Sequence, residues 1–217
     1  MKNTVGEVWK FLDNNPCIKR DLSKGLINSR ALAKYIIKTQ NMDVTLDAVI
    51  SAIRRYEIGK KDDIFINARK LIKNTLNLST RSGLAEISII KDDDVQRAIP
   101  GLFDVIEYSR GEVLRVIQAN ETIKLIVDGK NLDNVIAVFP KNKILNIDKD
   151  LAEINLHMHP KMIVTYGILA VIANELAINS VNILEVMTCL PEMLLFVKEE
   201  DILKAYQILY QLCHPKS

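Results

Sequence analysis

An internal repeat in the C-terminal part of the chain restricts its fold more than any other feature. The block Leu84–Ile89, Leu-Ala-Glu-Ile-Ser-Ile, reappears as Leu151–Leu156, Leu-Ala-Glu-Ile-Asn-Leu, 67 residues later. Three further blocks recur in the same order with an offset of 70 residues: 114–117 as 184–187, 123–128 as 193–198, and 131–139 as 201–209. Four ordered matches are hard to obtain by chance, so we expect residues 81–150 and 151–217 to be two copies of one supersecondary unit.

Each copy has the pattern of a β-α-β-β-α unit, in which an alternating strand precedes a helix, a hairpin and a closing helix. The predicted elements of the first copy are 84–89, helix 100–107, hairpin 113–119 and 122–127, helix 131–139 and an extra strand 143–147. Those of the second copy are 151–156, helix 166–177, hairpin 182–189 and 193–197, and a helix ending at Cys213. The predicted fold class is α+β, with ferredoxin-like sheets that carry two helices per repeat on one face.

Residues 1–80 have the spacing of apolar side chains that is typical of a helical bundle. Asn28-Ser29 and Thr45 are suitable N-caps for two of its helices. The predicted helices are 5–12, 16–24, 29–39, 46–56 and 62–74.

Two of these helices, Ser29–Thr39 and Leu46–Tyr56, match a helix-turn-helix pattern, since the second is polar and basic on its free face. The segment Asp43–Tyr56 resembles the turn and recognition helix of small winged-helix regulators, and a wing is expected between Leu76 and Leu84 with Arg81 at its tip. The candidate DNA-contacting residues are Thr45, Ser51, Arg54, Arg55, Lys60 and Lys61. The alternative is a bundle used for dimerisation or for contact with a partner.

The charge is unevenly distributed along the chain. Residues 1–80 contain 15 basic and 8 acidic side chains, whereas the remainder contains 14 basic and 19 acidic ones. Such asymmetry favours two modules, the first with a polyanionic partner. Solvated helix faces of uneven charge are the alternative explanation.

Residues 151–213 resemble an ACT domain, and the two copies together resemble the regulatory ACT pair of aspartate kinases. Tyr166–Ala177 is similar to the strand-to-helix turn of that family, and Asn179–Leu184 to the segment that opens its second strand. Glu199–Ala205 is similar to the start of its closing helix. In the first copy Pro100-Gly101-Leu102 matches the turn, although it follows a charged stretch.

The resemblance implies a site for a small effector, often an amino acid, at the turn and the strand-opening Asn. The candidate effector-binding residues are Tyr166, Gly167, Ile168, Leu169 and Asn182. Free N–H groups at a helix N-terminus suit a carboxylate, and an amide side chain pairs with an ammonium or a carboxylate. Tyr166 stands where the family often has Pro, and Glu112 or Val113 where the first copy would need the Asn. A turn Gly and a strand-edge Asn are also what the fold alone requires.

Catalytic motifs are absent: no GxxxxGKS/T, GxGxxG or GxSxG occurs, and residues 1–80 do not resemble a kinase catalytic domain. His157 and His159 have the spacing of a chelating pair, but an ordinary strand end is favoured. The run Asp92–Asp94 is better explained as the start of a solvated helix than as a cation site. We therefore predict no enzyme activity, no metal and no cofactor.

Three cysteines, Cys17, Cys189 and Cys213, are an odd number without CxxC spacing. They favour reduced, mostly buried thiols in a cytoplasmic protein. No secretory signal and no membrane span are expected.

Together these observations predict an amino-acid-responsive, DNA-binding regulator that forms a homodimer through its ACT sheets. The alternative is a regulatory or scaffolding subunit that dimerises through ACT domains and binds a protein partner without nucleic acid. Salt bridges between the acidic repeats and the group Arg54, Arg55, Lys60 and Lys61 would count against DNA binding, whereas a location of the group together on a free convex face would support it.

Overall fold

The computed structural model describes residues 4–56 and 64–215. The chain divides into two compact units, Met1–Lys61 and Asp62–Ser217. This division precedes the expected boundary at residue 80, because the helix predicted over 62–74 packs into the core of the second unit. Lys60 and Lys61, two of the predicted DNA contacts, lie outside the described residues.

Within residues 4–56 the first unit consists of helices α1 (Thr4–Asn14), α2 (Pro16–Ser23), α3 (Ser29–Thr39) and α4 (Leu46–Arg54). Their apolar faces share one core, which includes Leu12, Ile36 and Val49. Both predicted N-caps are confirmed. Asn28 Oδ1 accepts hydrogen bonds from the N–H groups of Arg30 and Ala31 at 2.9 and 3.1 Å, and Thr45 Oγ1 accepts from the N–H of Ala48 at 3.3 Å.

The second unit is a mixed structure of helices and an antiparallel sheet. Its elements are α5 (Ile64–Ile72), β1 (Asn77–Ile90), α6 (Asp93–Ala98), α7 (Leu102–Val105), β2 (Leu114–Gln118), β3 (Thr122–Asp128), α8 (Leu132–Ala137), β4 (Ile144–His157), α9 (Pro160–Ile163), α10 (Ile168–Ile178), β5 (Glu185–Cys189), β6 (Glu192–Lys198) and α11 (Ile202–Cys213). The six strands are ordered β2-β3-β1-β4-β6-β5, and each paired strand is antiparallel to its neighbour.

Two long strands, β1 and β4, form the centre of the sheet. Leu84 lies opposite Leu151, with Arg81 opposite Glu153 on one side and Glu86 opposite Asp148 on the other. The register shifts on both sides of the Leu84–Leu151 pair. Gly83 (φ +72°) and Asp150 (φ +59°) have the left-handed backbone that bulges commonly require. The strands predicted over 143–147 and 151–156 are therefore one continuous strand.

The wing predicted between Leu76 and Leu84 is wrong. Residues 77–81 are the first part of β1 and pair with β4, from Asn77 opposite His157 to Arg81 opposite Glu153. Arg81 is not at an exposed loop tip, since its Nη1 donates to the carbonyl oxygen of Gly111 at 3.0 Å. No strand occurs within residues 4–56.

The helices pack on the sheet face that carries Ala85, Ile87 and Ile89 in β1 and Ala152, Ile154 and Leu156 in β4. The helix predicted over 100–107 is reduced to α7, Leu102–Val105. A separate helix that was not predicted, α6, precedes it, and Asp92 Oδ1 caps α6 by accepting from the N–H of Val95 at 2.9 Å. The run Asp92–Asp94 is thus the start of a helix, as predicted. A hydrogen-bonded ion pair with Lys143 and the bond from Val95 lower the pKa of Asp92.

The opposite sheet face has its own buried cluster of Leu84, Ile126, Leu151, Leu194 and Phe196. Ion pairs around it join strands that are not neighbours. Lys124 Nζ of β3 lies 2.6 Å from Glu185 Oε2 of β5, although three strands separate them. In a flat sheet these strands would be about 19 Å apart. The sheet is therefore strongly curved around this cluster.

The cysteines differ in part from the prediction. Cys17 and Cys189 are exposed and Cys213 is buried, and all three are free thiols. Burial raises the pKa of the Cys213 thiol. In the part of the chain that the structure describes, no helix is both long and apolar enough to cross a membrane.

Candidate functional site

A cavity of about 480 Å³ lies at the N-terminus of α10. Its walls come from the end of β4, from α9, from the first turn of α10 and from the β5–β6 turn. Most of the lining side chains are apolar, and they include Met158, Met162, Ile163, Leu169, Leu190 and Met193. Thr165 and Thr188 contribute hydroxyl groups. The cavity therefore combines an apolar lining with a helix start.

Gly167 is the N-cap of α10 and has a left-handed backbone, with φ +87°. The first hydrogen bond across the helix start runs from the N–H of Val171 to the carbonyl oxygen of Gly167, at 2.9 Å. The N–H groups of Ile168, Leu169 and Ala170 therefore have no acceptor within the helix. All three residues line the cavity, and a glycine N-cap has no side chain that covers these donors. This arrangement suits a ligand with a carboxylate and an apolar body.

The structure brings three of the five predicted effector residues together at this cavity: Gly167, Ile168 and Leu169. Ile168 is buried, and Leu169 is 44% exposed. Tyr166 is 81% exposed and is not part of the described lining.

Asn182 is exposed and is also not part of the lining. The strand predicted to begin at Asn182 begins at Glu185. The N–H of Val181 is bound to the carbonyl oxygen of Leu176, so the preceding residues still close α10. Strand pairing starts only where the N–H of Leu184 donates to Phe196 O at 2.8 Å.

Several lining residues were not predicted from the sequence. Met158, Met162, Leu190 and Met193 belong to separate elements, and no local spacing connects them. The turn Leu190-Pro191-Glu192 was predicted as a hairpin turn, but its packing toward α10 has no sequence signal.

At the corresponding position of the first copy, the Glu112 carboxylate is fully engaged. It accepts hydrogen bonds from Lys130 Nζ at 2.6 Å, from the N–H of Glu107 at 2.9 Å and from Asn131 Nδ2 at 2.7 Å. These bonds, that from Lys130 first, lower the pKa of Glu112 to about 2. The carboxylate ties the segment before β2 to the turn before α8, which argues for a structural role.

Helix α5 packs directly on the N-cap of α10. A Cβ atom at position 167 would lie 2.9 Å from Ile64 Cγ2 and 3.8 Å from Ala68 Cβ. An ion pair between Arg69 and Glu175 also joins the two helices. The cavity and α5 thus share Gly167 as a common boundary.

The two histidines of the possible metal pair have separate structural roles. His157 is the last residue of β4, and His159 Nδ1 accepts from the N–H of Lys161 at 3.2 Å to cap α9. No cluster of three or more metal-ligating side chains occurs in residues 4–56 and 64–215.

In the first unit, Thr45, Ser51, Arg54 and Arg55 are exposed on the free side of α4, opposite buried Val49, Ala52 and Ile53. Neither arginine forms an ion pair within residues 4–56. The Thr45 hydroxyl is occupied by its capping bond. Asp47 is an acidic residue on the same exposed side.

A basic stripe on α3 was not among the features predicted from the sequence. Arg30, Lys34 and Lys38 are exposed and follow each other at intervals of four residues, so they lie on one helix face. Helix α3 contains no acidic residue. The helical spacing of the apolar residues of α3 could have predicted this stripe, because it also determines which basic residues share the opposite face.

No family model matches the chain, and no curated protein matches it. Several solved structures match it. Aspartate kinase from Clostridium acetobutylicum matches with a TM-score of 0.53 and 17% identity, over 64% of this chain and 35% of that one. The regulatory subunit of aspartate kinase from Thermus flavus matches with a TM-score of 0.52 and 13% identity, over 64% and 97%. Aspartate kinase from Synechocystis matches with a TM-score of 0.51 and 14% identity, over 79% and 32%.

These matches confirm the resemblance to ACT-containing regulatory regions of aspartate kinases at the level of the fold. The chain spans about a third of the length of the Clostridium and Synechocystis kinases, whereas it covers nearly all of the Thermus flavus regulatory subunit.

Proposed function

We propose that this chain is an effector-responsive regulatory protein whose second unit contains two ACT-like repeats. The effector site is the cavity at the N-terminus of α10, and the effector is an amino acid. The observation that carries this proposal is the glycine N-cap at Gly167, which leaves the donors of Ile168, Leu169 and Ala170 uncapped beside the cavity. The fold shared with a protein described as a regulatory subunit supports it.

The chemistry of the lining narrows the effector further. A carboxylate at the helix N-terminus is stabilised by the helix dipole and by direct N–H bonds. The methionine and leucine side chains of the lining suit an apolar side chain better than a charged one. The described lining contains no acidic side chain, so an effector ammonium group would rely on the Thr165 and Thr188 hydroxyls or on carbonyl oxygens.

The test is thermal unfolding of the full chain against each of the twenty amino acids. A ligand at 100 times its dissociation constant stabilises by about 2.7 kcal/mol, which is an easily measured shift. We expect stabilisation by an apolar amino acid and none in Leu169→Glu, which places a carboxylate beside the helix start. Leu203→Glu, at an 80% exposed position of α11, is the matched control and should retain the shift. No stabilisation by any amino acid, or an undiminished shift in Leu169→Glu, would reject the site.

For the output of this regulator we propose DNA binding through the first unit. The exposed side of α4 with Ser51, Arg54 and Arg55 fits a recognition helix, and the stripe of Arg30, Lys34 and Lys38 on α3 supplies cations for the phosphate backbone. Lys60 and Lys61 remain part of this proposal from the sequence alone.

Coupling between effector and output is proposed to run through α5. This helix rests on the N-cap of the effector site and lies near the start of the second unit in the sequence. An effector that prefers one packing of α5 on α10 would shift the population of that packing.

DNA binding is tested by the salt dependence of affinity for duplex DNA. Each phosphate contact contributes about −0.9 to the slope of log K against log salt concentration. We expect Lys34→Ala to lower the slope magnitude by about 1 and to weaken all sequences alike. Lys10→Ala, which removes an exposed lysine from α1, is the control and should bind like the wild type. Equal slopes for Lys34→Ala and wild type would exclude the α3 stripe.

If the protein binds no DNA at low salt, the alternative output is the binding of a protein partner.

For either output we propose a homodimer that forms through the sheet edges β2 and β5, which are the outermost strands of the sheet. Sedimentation equilibrium at micromolar concentration tests this, and a strict monomer would reject it.

A further inference from the structure

A second cleft, of about 540 Å³, lies in the second unit between α5, α10 and α11. It shares no residue with the described lining of the α10 N-terminal cavity. Its polar lining comes from Arg69, Lys70 and Lys73 of α5, Glu175 and Asn179 of α10, and Gln211 of α11. Its volume is in the range usual for small-molecule sites.

The charge of this cleft is positive. Glu175 is the acidic side chain of the described lining, and its carboxylate is already paired with Arg69. Lys70 and Lys73 line the cleft and are exposed. Neither has an ion-pair partner within residues 64–215. Because they are three residues apart on one helix, their ammonium groups lie on the same side of α5. An anionic occupant with at least two charges would relieve their mutual repulsion.

The rest of the lining is apolar or neutral. Ile208 and Leu212 of α11 are half-buried and form an apolar wall beside the lysines. Asn179 Nδ2 donates to the carbonyl oxygen of Glu175 at 2.8 Å, so its own carbonyl oxygen is left as an acceptor. The cleft thus offers cations at one wall, an apolar surface at another and amide groups between them.

We propose that this cleft binds a phosphorylated organic compound of nucleotide size. Its phosphate groups contact Lys70 and Lys73, while Arg69 stays paired with Glu175, and its apolar or aromatic body lies against Ile208 and Leu212. Phosphate alone would leave the apolar wall in water, and an uncharged body would leave the lysines unpaired. Both parts of the ligand therefore contribute to affinity.

The experiment is calorimetric titration of the full chain, without metal, with ATP, with inorganic tripolyphosphate and with adenosine. We expect ATP to bind more tightly than tripolyphosphate, and adenosine to bind least. The double substitution Lys70→Gln/Lys73→Gln should weaken ATP binding about tenfold or more. Glu175→Gln should tighten it, because the substitution removes the acidic charge of the cleft and releases Arg69 for the phosphates.

Lys204→Gln is the matched control, since Lys204 is an exposed lysine of α11 outside the cleft lining, and it should not change ATP binding. Thermal unfolding checks that each variant is folded. Equal binding of ATP and adenosine, undiminished binding by the double variant, or equal losses in Lys204→Gln and the double variant would each overturn the proposal. Leu169→Glu should leave ATP binding intact, so that failure of this site and failure of the amino-acid site are separate results.

Discussion

Gly167 and Ile64 are in such close contact that even a methyl group at position 167 has no room. A Cβ atom there would lie 2.9 Å from Ile64 Cγ2, and the backbone of Gly167 has φ +87°, which L side chains rarely adopt. Two independent requirements therefore hold this position as glycine: the conformation of the N-cap and the packing of α5 on it.

We expect Gly167→Ala to destabilise the second unit by about 2–4 kcal/mol, as the sum of left-handed backbone strain and overpacking. Chemical denaturation measures this change in the free energy of unfolding. Gly111→Ala is the matched control, since Gly111 has φ +73° but a Cβ atom there would meet nothing within 4 Å, and it should cost only about 1–2 kcal/mol.

Truncation of Ile64 should restore part of the stability that Gly167→Ala loses. In a double-mutant cycle, Ile64→Ala combined with Gly167→Ala should be more stable than the sum of the single effects predicts. Strict additivity would mean that α5 does not press on the N-cap, and the proposed coupling through α5 would lose its basis.

Lys124 holds together strands that the sheet order keeps apart. Its ammonium group lies between Glu185 Oε2 at 2.6 Å and Glu86 Oε1 at 3.2 Å, and Glu86 is buried. Lys124→Met leaves both carboxylates without this partner, and we expect a loss of about 1–3 kcal/mol in the free energy of unfolding at pH 7. Lys198→Met breaks the more exposed pair with Asp148 and should cost at most about 1 kcal/mol.

The stabilisation by the ion pairs of Lys124 depends on pH in a direction that can be predicted. Burial alone would lower the pKa of Lys124, but the hydrogen bonds to Glu185 and Glu86 outweigh it and raise the pKa. The ion pairs therefore stabilise fully below the ordinary lysine pKa of 10.5 and are lost as the pH rises through the folded-state value. A constant difference between wild type and Lys124→Met up to strongly alkaline pH would contradict this.

Glu112 makes the second unit sensitive to acid. Its pKa is lowered from 4.5 to about 2, so its contribution is complete above pH 4.5 and is lost as the pH falls toward 2. We expect the difference in unfolding free energy between wild type and Glu112→Gln to be largest near neutral pH and to vanish near pH 2. Glu121→Gln, at an exposed hairpin position, is the control for the loss of one carboxylate and should leave the free energy of unfolding at neutral pH unchanged.

Substitutions at Thr45 test the proposed DNA contact separately from helix capping. Thr45→Ala removes the cap of α4 and should cost about 1 kcal/mol in the stability of the first unit. Thr45→Asn and Thr45→Asp both retain a capping oxygen, but only the aspartate adds a negative charge to the exposed side of α4. At equal stability, measured by denaturation, Thr45→Asp should bind duplex DNA more weakly than Thr45→Asn. Equal affinities would place the DNA contact elsewhere or exclude it.

The central strands show how far the sequence predicts this fold. Alternating apolar residues in 84–89 and 151–156 predict strands, and both exist. The strand predicted over 143–147 also exists, but as the first part of the same strand β4, and the continuation of β1 through 77–81 was missed. Both continuations are hard to recognise, because the bulges at Gly83 and Asp150 shift the side-chain alternation by one residue. The segment 77–81 also contains Asn, Ser, Thr and Arg with a single Leu, so its composition is that of a loop. Only its pairing with β4 makes it a strand.

The candidate site was predictable where it depends on one local motif. The helix predicted over 166–177 exists, but it begins at Ile168 and has Gly167 as its N-cap. The position of Asn182 depends on where β5 begins, which is decided by pairing with β6 rather than by local residues. The methionine lining could not be inferred, because Met158 follows β4, Met162 lies in α9 and Met193 lies in β6.

The pairing of β1 with β4 has a consequence for how the second unit can be divided. Residues 77–81 precede the first half of the sheet along the chain, yet they complete the second half by pairing with 153–157, while 144–148 complete the first. Each half of the sheet thus contains a strand segment from the part of the chain that forms the other half, as in two subunits that exchange segments. A fragment that begins at residue 144 would expose the bare edge of its longest strand. We expect such a fragment to recruit a strand from another copy of itself.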